Sequence, residues 1–376
     1  MNILFIIFHG FCKYNGISKK IGYQVKALQE CGANVHLCYY DVNPSGQRMW
    51  MVNGQLLADL GHGWRDKLRK RMDFSPLLRY AESAGIDAVY IRSFHNANPF
   101  TIRLAQGLKR LNIRLLLEIP TYPYDGEYHT AKEKIQLLTD RLFRHAFCRY
   151  MDVVITYSDH PTLFGRPTLR LSNGIDFSAL PLHTATGHDL NHEVHLVAVA
   201  EIHFWHGYDR LIHGLAQYYQ STPTCKVYFH LAGEFSGKRE EEDILTPIRR
   251  YGLEPYVILH GPLHDTALDN LFCQADLAVG SLGRHRSGIF SLKTLKNREY
   301  AARGLAFVCS EHDADFELMP YVLRVPADES PIDLKSLLEF VRRQTLTPAQ
   351  IRSSISHLSW KNQMCTVMNY LTASKI

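Results

Sequence analysis

Basic side chains are concentrated between Gly283 and Tyr300, at the following positions: Arg284, Arg286, Lys293, Lys296 and Arg298. Lys293, Lys296 and Glu299 are three residues apart, so they share one face if this run is helical. A helix N-terminus with lysine and arginine can bind a diphosphate, and a carboxylate can accept hydrogen bonds from both ribose hydroxyls. The run therefore predicts a nucleoside diphosphate site. A solvated charged helix is the alternative.

Two other polar segments have the position of turns between a strand and a helix. The first, 10–19, contains Gly16, and the second, 201–210, contains His206 among aromatic residues. Each offers backbone N–H groups at a helix start, where an anion or a ring can bind. An ordinary βα turn is the alternative for the first. The pair of histidines in the second has no apparent third ligand, so we expect no metal site.

A third polar segment, 118–127, follows an apolar run and contains the carboxylates of Glu118 and Asp125 and the hydroxyl of Tyr124. Arg92 ends the preceding apolar run and is expected at the same edge of a sheet. Ligands of open α/β sheets bind at the carboxyl ends of the strands. These four residues are therefore predicted to hold the hydroxyls of a sugar acceptor. A proline-rich surface loop is the alternative.

The elements that must position these residues alternate between short apolar runs and amphipathic stretches. Five apolar runs are predicted as buried parallel strands in the first half: Ile3–Phe8, Asn34–Tyr40, Ala88–Ile91, Leu115–Ile119 and Val153–Thr156. Five more follow in the second half: Leu196–Ala200, Val227–Ala232, Val257–His260, Leu277–Gly280 and Ala306–Cys309. Two such series predict an α/β protein with two doubly wound domains facing each other across a cleft.

The polar stretch 183–193 is the best candidate for a linker between the two series. We therefore expect an N-terminal Rossmann-like domain over 1–182 and a C-terminal one over 194–357. The last amphipathic segment, 358–376, comes after the second sheet is complete, and it is expected to be a helix that packs back on the N-terminal domain.

Composition supports a soluble globular chain. The 376 residues are 46% hydrophobic and 21% charged, and no apolar run is long enough for a membrane span. The first residues read as a buried strand rather than a signal peptide. Eight cysteines occur singly, which favours free thiols in a reducing compartment. Residues 1–180 carry 23 basic and 15 acidic side chains, so the net charge of +5 is concentrated in the first half.

The basic first half favours an anionic partner. An anionic membrane, touched by Lys67–Arg71 with Trp64 and Phe74, is one hypothesis, and a solvated helix face is the other. No module that reads RNA or DNA is recognisable, so nucleic acid is not an expected partner.

Several short motifs, in this order and spacing, resemble the GT-B glycosyltransferases, and most closely the retaining enzymes of family 4. The resemblance covers nearly the whole chain and rests on these segments: Gly16–Ser18, Asn173–Asp176, Trp205–Asp209, Leu231–Glu234, Val257–Gly261, Ala275–Asp276, Lys296–Gly304 and Ser359–Trp360. The chain departs from the family pattern at Glu201, His206 and Ser291, and Pro120-Thr121 stands where the family usually has a histidine after a strand of the N-terminal domain.

The resemblance implies that a nucleotide sugar binds the C-terminal domain and that an acceptor binds the N-terminal one. The donor residues would be Gly16, His206, Arg284, Arg286, Lys293, Lys296 and Glu299. Arg286 and Lys296 are the catalytic candidates, because positive charge stabilises the departing diphosphate. Neither a metal nor another cofactor is expected.

The expected reaction is the transfer of a sugar to a glycan or lipid-linked acceptor in surface polysaccharide synthesis. The expected location is the cytoplasm, with a peripheral place at the inner face of the membrane as a further option. A nucleotide-sugar epimerase of the same fold and a non-catalytic subunit that binds glycan are the alternatives.

Overall fold

The computed structural model describes residues 1–11, 16–92, 97–128, 130–184 and 187–373. They form two compact units: unit 1 is Met1–Ser172 with Trp360–Ile376, and unit 2 is Asn173–Ser359. Each unit has its own sheet and its own buried apolar core. The predicted α/β class with two Rossmann-like domains is confirmed.

Unit 1 is built on a nine-stranded sheet. Its strands are β1 (Asn2–Ile7), β2 (Asn34–Val42), β3 (Arg48–Val52), β4 (Gln55–Gly61), β5 (Ala88–Arg92), β6 (Arg114–Ile119), β7 (Val153–Thr156), β8 (Thr162–Leu163) and β9 (Arg166–Arg170). These helices of unit 1 precede β9 in the chain: α1 (Gly16–Glu30), α2 (Trp64–Met72), α3 (Ser75–Ser83), α4 (Pro99–Arg110) and α5 (Ala131–Cys148). The strand order is β4-β3-β2-β1-β5-β6-β7-β9-β8.

The central strands of unit 1 are parallel and buried. All five residues of β5 are buried, as expected for a strand covered by helices on both faces. The chain moves one way across the sheet from β1 to β2 and the other way from β5 through β6 to β7. Since such crossovers are right-handed, α4 and α5 cover one face and α1 covers the other.

The hairpin of β3 and β4 was not predicted. Both central residues of its two-residue turn, Asn53 and Gly54, have φ in the left-handed region, at 50° and 81°. An Asn-Gly pair is typical of this turn, because these residues tolerate that conformation best. The dipeptide was the signal in the sequence for this antiparallel extension of the sheet.

Unit 2 is built on a six-stranded parallel sheet in the order β12-β11-β10-β13-β14-β15. Its strands are β10 (Glu193–Val199), β11 (Lys226–Ala232), β12 (Val257–Gly261), β13 (Leu277–Val279), β14 (Phe307–Cys309) and β15 (Val322–Arg324). Its helices are α6 (Tyr208–Gln220), α7 (Lys238–Tyr251), α8 (Asp265–Cys273), α9 (Leu295–Arg303), α10 (Leu334–Arg342) and α11 (Pro348–Ser354).

The division in the structure falls after Ser172 rather than after residue 182. The segment that follows is held by unit 2, where the His183 N–H donates to the carbonyl of Arg303 at 2.7 Å. Arg352 likewise donates to the carbonyl of Leu180 at 3.0 Å. The end of the expected first domain and the start of the expected linker are therefore both bound to unit 2.

The last helix, α12 (Trp360–Ala373), belongs to unit 1 and contacts α1. A disulfide joins Cys365 on α12 to Cys31, just beyond the end of α1, with 5.7 Å between the Cα atoms. The expectation that every cysteine is a free thiol is wrong for this pair.

Candidate functional site

Two loops of unit 2 meet at the carboxyl ends of β10 and β13. Gly207 has a φ of +63°, and a Cβ there would lie 2.6 Å from the backbone nitrogen of Gly283. The N–H of Leu282 donates to the carbonyl of His206 at 2.7 Å. Only glycine permits this approach, so the loop that carries His206 and the loop that carries Arg284 are held together.

His206 is buried and uncharged. Its Nδ1 accepts the backbone N–H of His203 at 3.0 Å, which leaves the ring proton on Nε2. Burial lowers its pKa well below the ordinary value, and the nearby cations Lys296 and Arg284 lower it further. His206 is therefore a neutral hydrogen-bond donor through Nε2.

Lys296 lies in the first turn of α9, whose N-cap is Thr294. Its Nζ donates to the hydroxyl of Tyr208 at 2.9 Å, and the Tyr208 ring stacks on His206 with 5.3 Å between centroids. Burial lowers the pKa of Lys296 to about 7, against the opposing effect of the Glu311 carboxylate. Lys296 is thus held in a poorly solvated place beside a helix N-terminus, where a bound anion would favour its charged form.

Arg284 completes a cationic cluster with Lys296 and His206. Its guanidinium lies 5.2 Å from the centre of the Trp205 ring, which stacks on the ring of His203 at 4.2 Å. Arg284 contributes to the lowered pKa values of both His206 and Lys296, so its charge is felt at both groups. This cationic cluster (His206, Arg284 and Lys296) can stabilise a phosphate-bearing ligand.

Glu311 is a buried carboxylate of this site that sequence reasoning missed. It is 1% exposed, its Oε1 accepts from Asn297 Nδ2 at 3.2 Å, and its Oε2 has no hydrogen-bond partner among the residues that the structure describes. Burial raises its pKa to about 6. The signal for it was its place two residues after the apolar run that forms β14, since polar residues at strand ends line the sites of open sheets.

The guanidinium of Arg286 is occupied by two carboxylates. It forms a bidentate pair with Asp209 at 2.8 and 2.9 Å, and it also donates to Glu329 at 2.6 Å. A further bond reaches the carbonyl of Phe204 at 2.9 Å. These contacts brace the two loops, and they leave little net charge on Arg286 for a ligand.

The other predicted donor residues lie in different surroundings. Glu299 is about one-third exposed and accepts from Arg303 at 3.2 Å, while Arg303 also pairs with Asp269. Lys293 pairs with Asp315 at 3.8 Å. Gly16 belongs to unit 1, where it begins α1. Of the predicted donor residues, the structure therefore brings three into the cationic cluster.

A cavity of about 440 Å³ lies at the ends of the neighbouring strands of unit 2. Its lining includes Ile202, Phe235, Gly233 just after β11 and Gly261 at the end of β12, with the carboxylates Glu234 and Glu241 among otherwise apolar residues. Gly233 has a φ of +138°, and a Cβ there would overlap the carbonyl of Ala200, so only glycine fits. A largely apolar cleft with an aromatic wall is suited to a flat ring such as a nucleobase.

The residues predicted to bind an acceptor lie in unit 1. Glu118 is 0% exposed and is surrounded by donors. Its partners are Lys20 at 3.3 Å, Arg92 at 3.0 Å, Tyr90 at 2.5 Å and Gln24 at 2.8 Å. Two cations and two hydrogen bonds lower its pKa to about 2 despite burial. Glu118 and Arg92 are thus members of a buried network that joins β6 to α1 and β5.

Tyr124 and Asp125 are likewise engaged within unit 1. The hydroxyl of Tyr124 donates to Asp140 at 2.6 Å, and its side chain is buried. Asp125 accepts from Arg141 at 2.7 Å and from Arg144 at 3.0 Å, which lowers its pKa. Asp125 remains about one-third exposed, so of these four residues it offers the most surface to a ligand.

The described ranges contain neither a cluster of metal ligands nor a membrane-spanning helix. There, no group of three or more His, Cys, Asp or Glu side chains has the arrangement that a metal ion would need. Nor does any helix in those ranges combine the length and apolar character that crossing a bilayer requires.

Comparison with known proteins identifies the fold of the chain. No protein-family model matches the chain, and no curated protein matches it by sequence. Sucrose-phosphate synthase from Thermosynechococcus elongatus is similar in structure, with a TM-score of 0.65 at 15% identity, over 99% of this chain and 98% of that one.

Two ligand-bound structures are also similar. HepE from Anabaena in complex with UDP has a TM-score of 0.61 at 17% identity over 100% of both chains. The catalytic domain of starch synthase IV from Arabidopsis thaliana, bound to ADP and acarbose, has a TM-score of 0.65 at 12% identity over 99% of both chains. The chain described here therefore has the GT-B fold, the fold of these glycosyltransferases.

Proposed function

We propose that this protein is a glycosyltransferase that uses a nucleoside diphosphate sugar, and that unit 2 binds this donor. The observation that carries the proposal is the cationic cluster at the carboxyl ends of β10 and β13, beside the N-terminus of α9. A diphosphate is the ligand class whose charge and size match two cations, a neutral N–H donor and a helix N-terminus.

In the reaction, the bond between the sugar and the diphosphate breaks and negative charge builds up on the leaving oxygen. The ammonium of Lys296 and the guanidinium of Arg284 stabilise that charge, and His206 donates a hydrogen bond through Nε2. Arg286 acts as a positioning residue, because it ties the loop of Phe204 to Asp209 and Glu329. Lys296 is thus favoured over Arg286 as the catalytic group.

The cavity between the ends of β11 and β12 is proposed to hold the nucleobase. Its lining residue Ile202 precedes His203, whose backbone N–H donates to His206 of the cationic cluster. The UDP and ADP bound in HepE and starch synthase IV support a nucleoside diphosphate as the ligand class.

Glu299 is proposed to bind the ribose. Replacing Glu299 by glutamine keeps its size but removes the charged acceptor, and hydrogen bonds to a charged group contribute about 1.5–3 kcal/mol each. We therefore expect the affinity for the donor nucleotide to fall by about 10- to 100-fold, measured by calorimetric titration. Fold stability should change little, because the side chain is about one-third exposed.

The matched control is Glu339→Gln, which also removes a carboxylate paired with an arginine at the i+4 position, but on α10. It should leave nucleotide affinity unchanged. An unchanged affinity in Glu299→Gln would instead assign Glu299 to its ion pair with Arg303 alone.

We propose a glycan or lipid-linked molecule as the acceptor, bound by unit 1, in the synthesis of a surface polysaccharide. The basic character of the first half of the chain supports an acceptor that carries phosphate or lies at an anionic membrane. Retention of the anomeric configuration, a place in family 4, a cytoplasmic location and independence of metal ions remain predictions of the resemblance.

A thermal-shift screen against UDP, GDP, ADP and CMP sugars tests the proposal. A ligand at about 100 times its Kd adds about 2.7 kcal/mol of stability, so a true donor is readily detected. Transfer to an acceptor, followed by product analysis, then separates a transferase from an epimerase, which yields product without acceptor. The proposal is wrong if no nucleotide sugar binds, and a non-catalytic subunit is then the better reading.

A further inference from the structure

Two helices of unit 1 leave rows of large apolar side chains in solvent. On α2, Trp64 is 70% exposed, Leu68 50% and Met72 49%, and these residues are four apart, so they form one row. On α5, Ile135 is 68% exposed, Leu138 59% and Leu142 68%, at spacings that again share one face. The opposite side of α5 is buried through Leu137 and Phe147.

The two rows belong to one layer of helices. α4 and α5 cover the same face of the sheet by the handedness of their crossovers, and α4 contacts both α2 and α5. Between the two rows, α4 exposes Arg103. On α2, Lys70 lies over the Tyr40 ring at 3.4 Å, so that side of the helix faces the sheet and the apolar row faces away from it.

Basic side chains flank both rows. The nine residues of α2 include five basic residues and one acidic residue, and Arg65 and Arg71 border its apolar row. On α5, Lys134 and Arg141 are exposed beside its apolar row, and Arg141 also pairs with Asp125 at 2.7 Å. Apolar residues flanked by lysine and arginine, with a tryptophan among them, are typical of helices that lie in the interface of an anionic bilayer.

We propose that α2 and α5 together form a docking surface for an anionic lipid membrane. The proposal rests on the proposed function only in that it assigns where a lipid-linked acceptor would be met. The basic character of the surface favours an anionic membrane over a second copy of the chain. A symmetric dimer would bring two basic patches together, and these would repel each other. Phe74, expected from the sequence at this surface, is 5% exposed and packs in the core instead.

Sedimentation with vesicles tests the proposal, with neutral phosphatidylcholine vesicles and vesicles that also contain phosphatidylglycerol. We expect binding to the anionic vesicles and a loss of at least tenfold in affinity between about 0.05 M and about 0.5 M salt, since polybasic contacts are screened. The triple variant Ile135→Ser, Leu138→Ser, Leu142→Ser should bind at least tenfold more weakly than wild type.

The matched control removes exposed apolar residues from unit 2, by Phe290→Ser with Leu318→Ser, which are 60% and 92% exposed. It should bind vesicles like wild type. A blue shift of the fluorescence of wild type on adding anionic vesicles, absent in Trp64→Phe, is the expected sign that α2 enters the interface.

Equal binding to both vesicle types, or unchanged binding of the α5 triple variant, would overturn the proposal. Self-association in light scattering that the α5 variant abolishes, without vesicle binding, would assign the surface to a second copy. All of these measurements are made without nucleotide sugar, and the nucleotide screen is made without vesicles. Failure of the docking surface is therefore distinguishable from failure of the proposed activity.

Discussion

Replacing Lys296 by methionine is expected to weaken binding of the donor nucleotide by about 10- to 150-fold. The magnitude follows from the roughly 1.5–3 kcal/mol of a hydrogen bond to a charged group. Methionine keeps the length of the side chain and removes the charge, and the half-buried site should tolerate it without loss of the fold. Calorimetric titration with the best nucleotide of the screen measures the effect.

The control for this variant is Lys335→Met, which removes an exposed lysine at the start of α10. It should leave nucleotide affinity unchanged. If Lys296→Met binds nucleotide as tightly as wild type does, the diphosphate lies elsewhere and Arg284 loses its proposed role too.

The same lysine predicts a pH dependence of binding. Because the pKa of Lys296 is lowered to about 7 in the free protein, half of the molecules carry the ammonium at pH 7 and about 1% carry it at pH 9. A bound diphosphate favours the charged form, so affinity is highest below pH 7 and is lost as the pH rises above it. Since the neutral form is expected to bind about 10- to 150-fold more weakly, the dissociation constant should increase about 5- to 30-fold between pH 7 and pH 9.

Glu311 acts in the same direction, because its pKa is raised to about 6 and its negative charge is present above that value. The measurement is a series of calorimetric titrations with the nucleotide between pH 7 and pH 9, in wild type and in Lys296→Met. The variant should have a nearly flat profile between pH 7 and pH 9. Parallel profiles in the two proteins would contradict the assignment.

Replacing Arg298 by methionine is expected to destabilise unit 2 by about 3–5 kcal/mol. Arg298 is 0% exposed, and it donates to Asp313 at 2.6 and 3.1 Å, to Asp315, and to the carbonyl of Thr294 at 2.9 Å. Removing it leaves the Asp313 carboxylate buried without its cation. Urea unfolding followed by far-ultraviolet circular dichroism measures the loss.

The control for Arg298 is Arg239→Met, which removes an exposed arginine whose pair with Asp243 is on the surface of α7. Exposed pairs contribute about 0–1 kcal/mol, so this variant should unfold at nearly the same urea concentration as wild type. A loss of under 1 kcal/mol in Arg298→Met would mean that the buried pair is compensated by water or by movement of the loop.

The alternation of strands and helices was readable because burial imposes it on the sequence. Parallel strands covered on both faces need continuous apolar runs, and the run Val227–Ala232 became β11 with a difference of one residue. Helix α9 has the predicted limits, Leu295–Arg303, because a threonine cap and Gly304 mark its two ends. The hairpin of β3 and β4 has one half-exposed strand, so its apolar pattern is weak and only Asn53-Gly54 marked it.

The sequence alone predicted the location of the candidate site but not the role of each residue in it. Sequence placed Arg286 and Lys296 in the same basic run, and nothing in their spacing distinguishes them. Residues that are distant in the sequence distinguish them. Asp209 and Glu329 form ion pairs with the guanidinium of Arg286. Lys296 instead donates to the hydroxyl of Tyr208, whose ring stacks on His206. Glu118 was predicted at a strand end that opens to a ligand, yet cations from α1 and β5 enclose it.

By itself, the sequence determined two α/β units, the order of their elements and the basic run at the start of α9, because these depend on local apolar periodicity, caps and glycines. Only the tertiary structure decided which charges are matched and which are buried. A group's pKa and its availability to a ligand depend on neighbours that are more than ten residues away in the chain. Glu311 and Lys296 are 15 positions apart in sequence, yet burial in one site raises the pKa of one and lowers that of the other.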